Sequence, residues 1–389
     1  MKKGQIYEGY VIRIDFPNKG IVKIDESEVI VKNVIPGQKV SFMINKIKNN
    51  LVHGRLLETL EKSFLETEDA KCKSFGKCGG CNYHTLTYDD QLKLKSEQIK
   101  KLIDTVTNDY IFEEILPSPN QFEYRNKMEY SFGDQEKDGP LTLGLHKRGS
   151  FYDVITTDDC KIVDNDFNYI LKLVLAFSKK NNLTYLHKMS KEGFLRHLLV
   201  RKAVKTNEIL INIITSSQQN NKLLAKDIFA KLVKELLDLN LTGNIVGILH
   251  TYNDSLGDVI QSDSTTILYG RDFIYEELLG LKFKISTFSF FQTNSLGAEV
   301  LYSKVREYVG ETDNKVLFDL YSGTGTIAQL LAPVAQKVIG VEIVKEAVES
   351  AIENAKLNQL TNCEFIAGDV LKIVGDLTDK PDIIILDPP

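Results

Sequence analysis

The sequence predicts a multidomain α/β and β protein in three parts. An N-terminal β-barrel of the oligonucleotide-binding (OB) type is expected over residues 1–60 and a central α+β domain over 61–285. A Rossmann-like doubly wound domain follows over 286–389. The first sixty residues are short Val/Ile-rich runs broken by Pro and Gly. The middle mixes strand-like runs with a long helical stretch, and the last hundred residues alternate strand and helix at the lengths of βαβ units. A length of 389 residues also exceeds what one hydrophobic core organises.

The barrel strands are YEGYVIRID, GIVKID, EVIVKNV and QKVSFMINKIK, separated by PNKG and PG. Lys32, Lys46, Lys48 and Arg55 could meet phosphates there, or form an ordinary solvated surface. Residues 61–100 read as a cysteine-bearing loop followed by the helix YDDQLKLKSEQIKKLID. Between 110 and 285, LTLGLHKRG and EILINIIT are strands, KLLAKDIFAKLVKELLD is a helix, and Cys160 sits just past a strand. After FFQTN the order is helix, VLFDLY, helix, KVIGVEI, helix EAVESAIENAKLNQ, CEFIAGD and DIIILDPP. This last domain is expected to be incomplete, a fragment stopping at its fourth strand, because an apolar strand at the end leaves a half-built sheet edge.

Composition excludes several classes. With 43% hydrophobic and 26% charged residues and 9 Pro, wholesale disorder and collagen are out. No apolar run approaches the roughly 18–20 residues of a membrane span. The opening MKKGQIYEGYVIRID lacks the apolar core of a secretory signal. Five cysteines, an odd number, do not make a disulfide scaffold. A soluble cytoplasmic protein without a membrane partner is expected, and no obligate protein partner is implied. The net charge of -5 is uneven: residues 311–389 hold 13 Asp/Glu against 6 Lys, which leaves +2 for the rest. A polyanion partner is permitted.

VLFDLY runs into SGTGTIA, a Gly-rich turn opening a helix, where Gly323 and Gly325 let the backbone approach a ligand. Such a loop alone is a weak signal, common in unrelated turns. Context strengthens it. Glu342 ends the next strand, 17 residues after Gly325, where a carboxylate accepts from a ribose diol. Asp369 closes the third strand, within reach of an adenine amine, and Asp387 closes the fourth. Ile327-Ala328 stands where a dinucleotide fingerprint has its third Gly, so a ligand without a pyrophosphate is favoured. S-adenosylmethionine fits, as a cationic sulfonium with a ribose and an adenine.

Cys72-x5-Cys78-x2-Cys81, with Cys160 far downstream, supplies four soft ligands. The three-plus-one grouping points to an iron–sulfur cluster, with zinc and free thiols as alternatives. Cys363, alone at the start of a strand, reads as a small core residue. Arg125 and Lys127 in YRNK, and Arg196, His197, Arg201 and Lys202 in LRHLLVRK, are candidate RNA contacts. Six Lys/Arg against one Glu between His187 and Lys205 suggest a basic stripe. The alternative is a set of intramolecular ion pairs. Tyr83 and His84 could stack on a base, though loop packing is the plainer reading.

Taken in order, the barrel, C-x5-C-x2-C with Cys160, EYRNKMEYSFG, GFLRHLLVRKA, SFFQTN, DLYSGTGT and DPP span nearly the whole chain. The sequence resembles the RNA uracil-C5 methyltransferases that pair a TRAM barrel with a [4Fe-4S] site, bacterial 23S rRNA members in particular. The resemblance implies that Cys72, Cys78, Cys81 and Cys160 hold the cluster. It also implies that Gln292, Tyr321 and Glu342 contact S-adenosylmethionine and that Asp387 borders cofactor and uracil. Phe290 and Phe291 would join them or serve as core aromatics. Family members acting on tRNA commonly lack the cysteines, so 23S rRNA is expected and tRNA is the alternative, as is a non-catalytic iron–sulfur RNA-binding protein.

Carbon 5 of uracil is a poor nucleophile. Its methylation needs a thiolate adding to carbon 6 and a base removing the C5 proton. The family's nucleophilic Cys and base Glu follow the DPP motif, so this chain is expected to be inactive alone.

Overall fold

The computed structural model describes residues 1–255, 257, 262–310 and 312–388. The side chains of 219–226, 312 and 313 lie outside the described residues, as does Pro389, the last residue of the DPP motif. The chain forms two compact units, Met1–Pro117 and Ser118–Pro389.

In the first unit, β1 (Ile6–Asp15), β2 (Lys19–Ile24), β3 (Ser27–Lys32), β4 (Lys39–Lys48) and β5 (Leu51–Glu61) close a barrel in the order β1-β2-β3-β5-β4. Val22, Val29, Val31, Val40, Phe42 and Ile44 fill it. The fifth strand is the element the sequence does not announce. LVHGRLLETLE is exposed or half-buried throughout, so its alternation is blurred. It nonetheless closes the ring, pairing antiparallel with β4 and parallel with β3. Gly54 permits this: a Cβ there would meet Phe42 Cδ2 at 2.5 Å. Helix α1 (Tyr88–Ile103) is capped by Thr87, whose hydroxyl accepts from the Asp90 N–H at 3.2 Å. Tyr83, Leu86 and Leu94 join the barrel core, so Tyr83 is loop packing. The compact unit thus groups the cysteine loop and α1 with the barrel, where the sequence reading grouped them with the central domain.

The second unit holds two large sheets and a two-stranded one. The first has seven strands in the order β12-β11-β10-β9-β6-β7-β8: β6 (Lys127–Gly133), β7 (Thr142–His146), β8 (Val154–Thr156), β9 (Leu195–Lys202), β10 (Glu208–Thr215), β11 (Asn244–Tyr252) and β12 (Ser264–Gly270). It carries α2 (Asn165–Lys180) and α3 (Gln219–Leu237). All pairs are antiparallel except β10–β11. A hairpin of β13 (Phe273–Leu278) and β14 (Leu281–Ser286) leads to α4 (Ser295–Val309). The second sheet is parallel, with β15 (Thr312–Leu320), β16 (Ala335–Glu342), β17 (Cys363–Ala367) and β18 (Ile383–Leu386) in the order β17-β16-β15-β18. Its helices are α5 (Thr326–Leu331), α6 (Lys345–Leu357) and α7 (Val370–Ile373). One core joins Ala203, Leu210 and Leu249 of the seven-stranded region to Phe283, Phe291, Tyr302 and Leu330, so α4 and α5 are anchored on both sides. No helix among the described residues is long and apolar enough to cross a membrane.

Candidate cofactor rim and cysteine loop

The four parallel strands end flush. Leu320 pairs with Val341 on one side and Leu386 on the other, and Glu342 pairs with Ala367. Asp387, the turn after Leu320, Glu342 and the Gly368-Asp369 turn therefore share one rim, the carboxyl end where open α/β sheets bind ligands.

The turn after β15 takes three left-handed conformations in five residues: Tyr321 (φ 65°), Gly323 (φ 55°) and Gly325 (φ 70°). They bend the chain sharply enough for Gly325 N–H to reach the Ser322 carbonyl at 2.8 Å. Gly325 is required by packing, since a Cβ would lie 2.4 Å from the Phe365 ring and 2.9 Å from Ala351 Cβ. Around Gly323 nothing lies within 4 Å of an added Cβ, so its neighbourhood is open. Gly325→Ala is accordingly expected to destabilise the fold by about 3 kcal/mol, from overpacking and the left-handed backbone together. Gly323→Ala should cost about 1 kcal/mol. Urea unfolding of the two variants checks the difference.

Glu342 is oriented by the turn it faces. Its Oε2 accepts from the Gly323 N–H at 2.9 Å and its Oε1 from the Val344 N–H at 2.9 Å. Each oxygen keeps acceptor capacity for a diol. Asp369 has a structural task as well: it caps α7 by accepting from the Leu371 N–H at 3.0 Å.

Two residues at the rim escape sequence reasoning. Asp319, inside β15, is fully buried and accepts from the Ala328 N–H at 3.0 Å. Burial pushes its carboxyl up to about 7; the Ala328 hydrogen bond opposes this, and the charges of Asp387 and Glu342 add to it. An acid inside the apolar run VLFDL was the available signal. Tyr302, on α4, is buried, and burial pushes its hydroxyl up to about 12. A hydrogen bond with the Gln292 side chain works against that rise, while Asp387 and Asp319 contribute to it. Gln292 thus sits beside Tyr302, whose hydroxyl feels the charges of Asp387 and Asp319. The two phenylalanines beside it divide: Phe291 is buried with its ring 6.0 Å from that of Phe283, and Phe290 is 71% exposed.

The basic stripe expected over LRHLLVRK is not on the surface. All eight residues of β9 are buried, because the strand is central in its sheet and covered on both faces. Arg196 donates to the carbonyls of Asn253, Ser255 and Gly257. Arg201 donates to those of Thr287 and Ser289. Lys202 Nζ lies 2.8 Å from both Asp164 and Asp166. His197 is buried beside Ser131. Arg201 thus spends its donors on internal carbonyls, whereas Arg196 and His197, though largely buried, line an open pocket with Lys188 and Lys191. Arg125 is half-buried with Nε on the Lys127 carbonyl at 2.9 Å, and Lys127 pairs with Glu129 at 2.5 Å. On the barrel, by contrast, Lys32, Lys46, Lys48 and Arg55 are exposed. Burial lowers the His53 pKa first, and the charges of Lys46, Lys32 and Lys19 lower it further, so three cations gather around it.

None of the five cysteines forms a disulfide. In the first unit Cys72, Cys78 and Cys81 are half-buried in a series of tight turns. The Gly80 N–H donates to Cys78 Sγ at 3.3 Å, and the Phe75 ring stacks on His84 at 5.4 Å. In the second unit Cys160 is buried, its backbone clamped by Asn168, which accepts from its N–H at 3.0 Å and donates to its carbonyl at 3.1 Å. Among the described residues no three His, Cys, Asp or Glu side chains gather into a metal site. Cys363 opens β17, at the end away from the rim. Burial, and secondarily Asp319, push its thiol up to about 12.

A family model described as a methyltransferase domain matches residues 311–388, the stretch that forms the parallel sheet and its rim. An uncharacterized RNA methyltransferase of Clostridium tetani is 50% identical over all of this chain and 84% of its own length. One from Caldanaerobacter subterraneus subsp. tengcongensis is 47% identical over all of this chain and 85% of its own. The chain belongs to the RNA methyltransferase family. Its fold is similar to that of Pyrococcus abyssi tRNA (uracil-54, C5)-methyltransferase, solved with S-adenosyl-L-homocysteine. The TM-score is 0.74 at 23% identity, covering 98% of this chain and 83% of that one.

Proposed function

We propose that this RNA methyltransferase uses S-adenosylmethionine to methylate carbon 5 of a uracil in 23S rRNA. The observation that carries the cofactor reading is the flush rim, with Glu342 held open-handed beside the unobstructed Gly323. Glu342 takes the ribose hydroxyls, Asp369 the adenine amine, and Gln292, Tyr321, Gly325 and Asp387 complete the pocket. S-adenosylmethionine supplies an electrophilic methyl group. The chain's own groups orient it and surround it with carboxylates. The thiolate that must activate the base is not Cys363, whose pKa and position at the far end of β17 both oppose it.

Residues 1–60, as a TRAM module, and 61–285 hold the RNA; residues 286–389 hold the cofactor. The cations around His53 give the barrel a phosphate-facing surface. Cys72, Cys78, Cys81 and Cys160 hold a [4Fe-4S] cluster, with zinc as the alternative. Cysteines not tied up in disulfides, and the Gly80 N–H aimed at Cys78 Sγ, suit soft-metal ligation. This cysteine set favours 23S rRNA, while the fold shared with the Pyrococcus abyssi tRNA enzyme keeps tRNA as the second reading.

Deleting the gene and digesting separated 23S rRNA and tRNA to nucleosides tests the substrate. Loss of 5-methyluridine from 23S rRNA is the expected result. Loss from tRNA alone selects the second reading, and no loss from either overturns both.

A further inference from the structure

We propose that Arg201 and Asn126 are positioning residues for the cofactor: from the central sheet they set the backbone of residues 287–295, the strap that carries Gln292 to the rim. The proposal rests on the reading that Gln292 touches S-adenosylmethionine.

The strap runs between β14 and α4 without regular structure, so its main-chain carbonyls need donors from elsewhere. The central domain provides them with buried side chains. Arg201, 2% exposed, donates Nε to the Thr287 carbonyl at 3.0 Å and a terminal nitrogen to the Ser289 carbonyl. The Asn126 N–H donates to the Thr293 carbonyl at 2.8 Å. Its Nδ2 donates to the Gln292 carbonyl and to Ser295 Oγ, each at 2.8 Å. Ser295 Oγ in turn donates to the buried Glu276 carboxylate at 2.7 Å, which also accepts from the Val204 and Lys205 N–H groups just past β9. Four strap carbonyls are thus fixed from β6, β9 and the residues next to them.

A guanidinium suits this task because its planar fork spans two carbonyls at once, which an ammonium on a flexible stem does not. Burying it is unfavourable: burial lowers the Arg201 pKa to about 10, and it answers carbonyls rather than a carboxylate. What it holds is specific. Its two carbonyls, those of Thr287 and Ser289, precede Phe290, which is exposed. Gln292 follows three residues after Ser289, and its side chain acts on Tyr302, as do the charges of Asp319 and Asp387. Loosening the strap displaces Gln292 without removing any group that contacts the cofactor.

The test is S-adenosylhomocysteine titration by calorimetry on the full chain, with unfolding of each variant measured in parallel. Arg201→Met is expected to weaken binding at least tenfold, Arg201→Lys to recover part of the loss, and Asn126→Ala to act in the same direction. Ile211→Ala, a cavity on the neighbouring strand β10, supplies a destabilised control and should bind within twofold of wild type. The chain contains no Trp, so Phe290→Trp places its only indole in the strap, excited selectively at wavelengths beyond the tyrosine absorption edge. Its acrylamide quenching should rise when Arg201→Met is added. Binding by Arg201→Met within twofold of wild type, or a loss no larger than that of Ile211→Ala, overturns the proposal. If Arg201→Met does not fold, Arg201→Lys and Asn126→Ala are judged by the same criterion. Failure of wild type to bind overturns the cofactor reading and the proposal with it, a pattern distinct from wild-type binding with insensitive variants.

Discussion

Glu342→Ala is expected to weaken S-adenosylhomocysteine binding about 100-fold while leaving the fold nearly intact. Two charge-assisted hydrogen bonds to a ribose diol are each worth about 1.5–3 kcal/mol, and a 100-fold loss is about 3 kcal/mol. Stability should fall by only about 1 kcal/mol, because the Gly323 and Val344 N–H groups that Glu342 engages lie at a half-open rim where water replaces the carboxylate. Glu342→Gln should fall between, keeping one acceptor and losing the charge. Asp369→Ala makes the contrast: Asp369 caps α7, so part of its effect should appear as lost stability rather than lost affinity. Calorimetric titration beside urea unfolding separates the two. Binding by Glu342→Ala within threefold of wild type would remove Glu342 from the cofactor site.

Why Glu342 was legible and Asp319 was not follows from what a sequence encodes locally. Strand–helix alternation places the carboxyl ends of parallel strands on one rim, so an acid at a strand end can be assigned from spacing alone. Asp319 needs more: its carboxyl matters because of its burial and its proximity to Asp387 and Glu342, which only strand order and register create. Tyr302 is a similar case, meeting Gln292 from a helix whose face points to the rim only after packing. The burial of LRHLLVRK has the same root. Four basic or titratable residues in eight look like an exposed edge, but β9 lies between β10 and β6 with both faces covered. Its cations then serve carbonyls and Asp166. The barrel shows the converse loss, since β5 is held by closure rather than by a clear apolar face.

The buried Asp319 carboxyl should couple cofactor affinity to pH and distinguish S-adenosylmethionine from its demethylated product. Its pKa in the folded chain is raised from 3.8 to about 7, so the empty site binds a proton that the unfolded chain releases. Stability conferred by that proton is full below pH 4 and declines as pH rises to about 7, by on the order of 4 kcal/mol if the whole shift is realised. Asp319→Asn, which keeps an acceptor for the Ala328 N–H, should flatten this decline in urea unfolding between pH 5 and 8. A sulfonium near the rim favours the ionised form, whereas the neutral thioether of S-adenosylhomocysteine does not. Binding of S-adenosylmethionine should therefore release up to about half a proton at pH 7 and be about tenfold weaker at pH 6 than at pH 8. S-adenosylhomocysteine should vary by less than twofold over the same range, and Asp319→Asn should erase the difference between the ligands' pH profiles. Calorimetry in buffers of different ionisation enthalpy counts the proton directly. Equal pH profiles for the two ligands in the wild-type chain would mean that the field of the sulfonium does not reach Asp319, and that its burial serves the α5 turn alone.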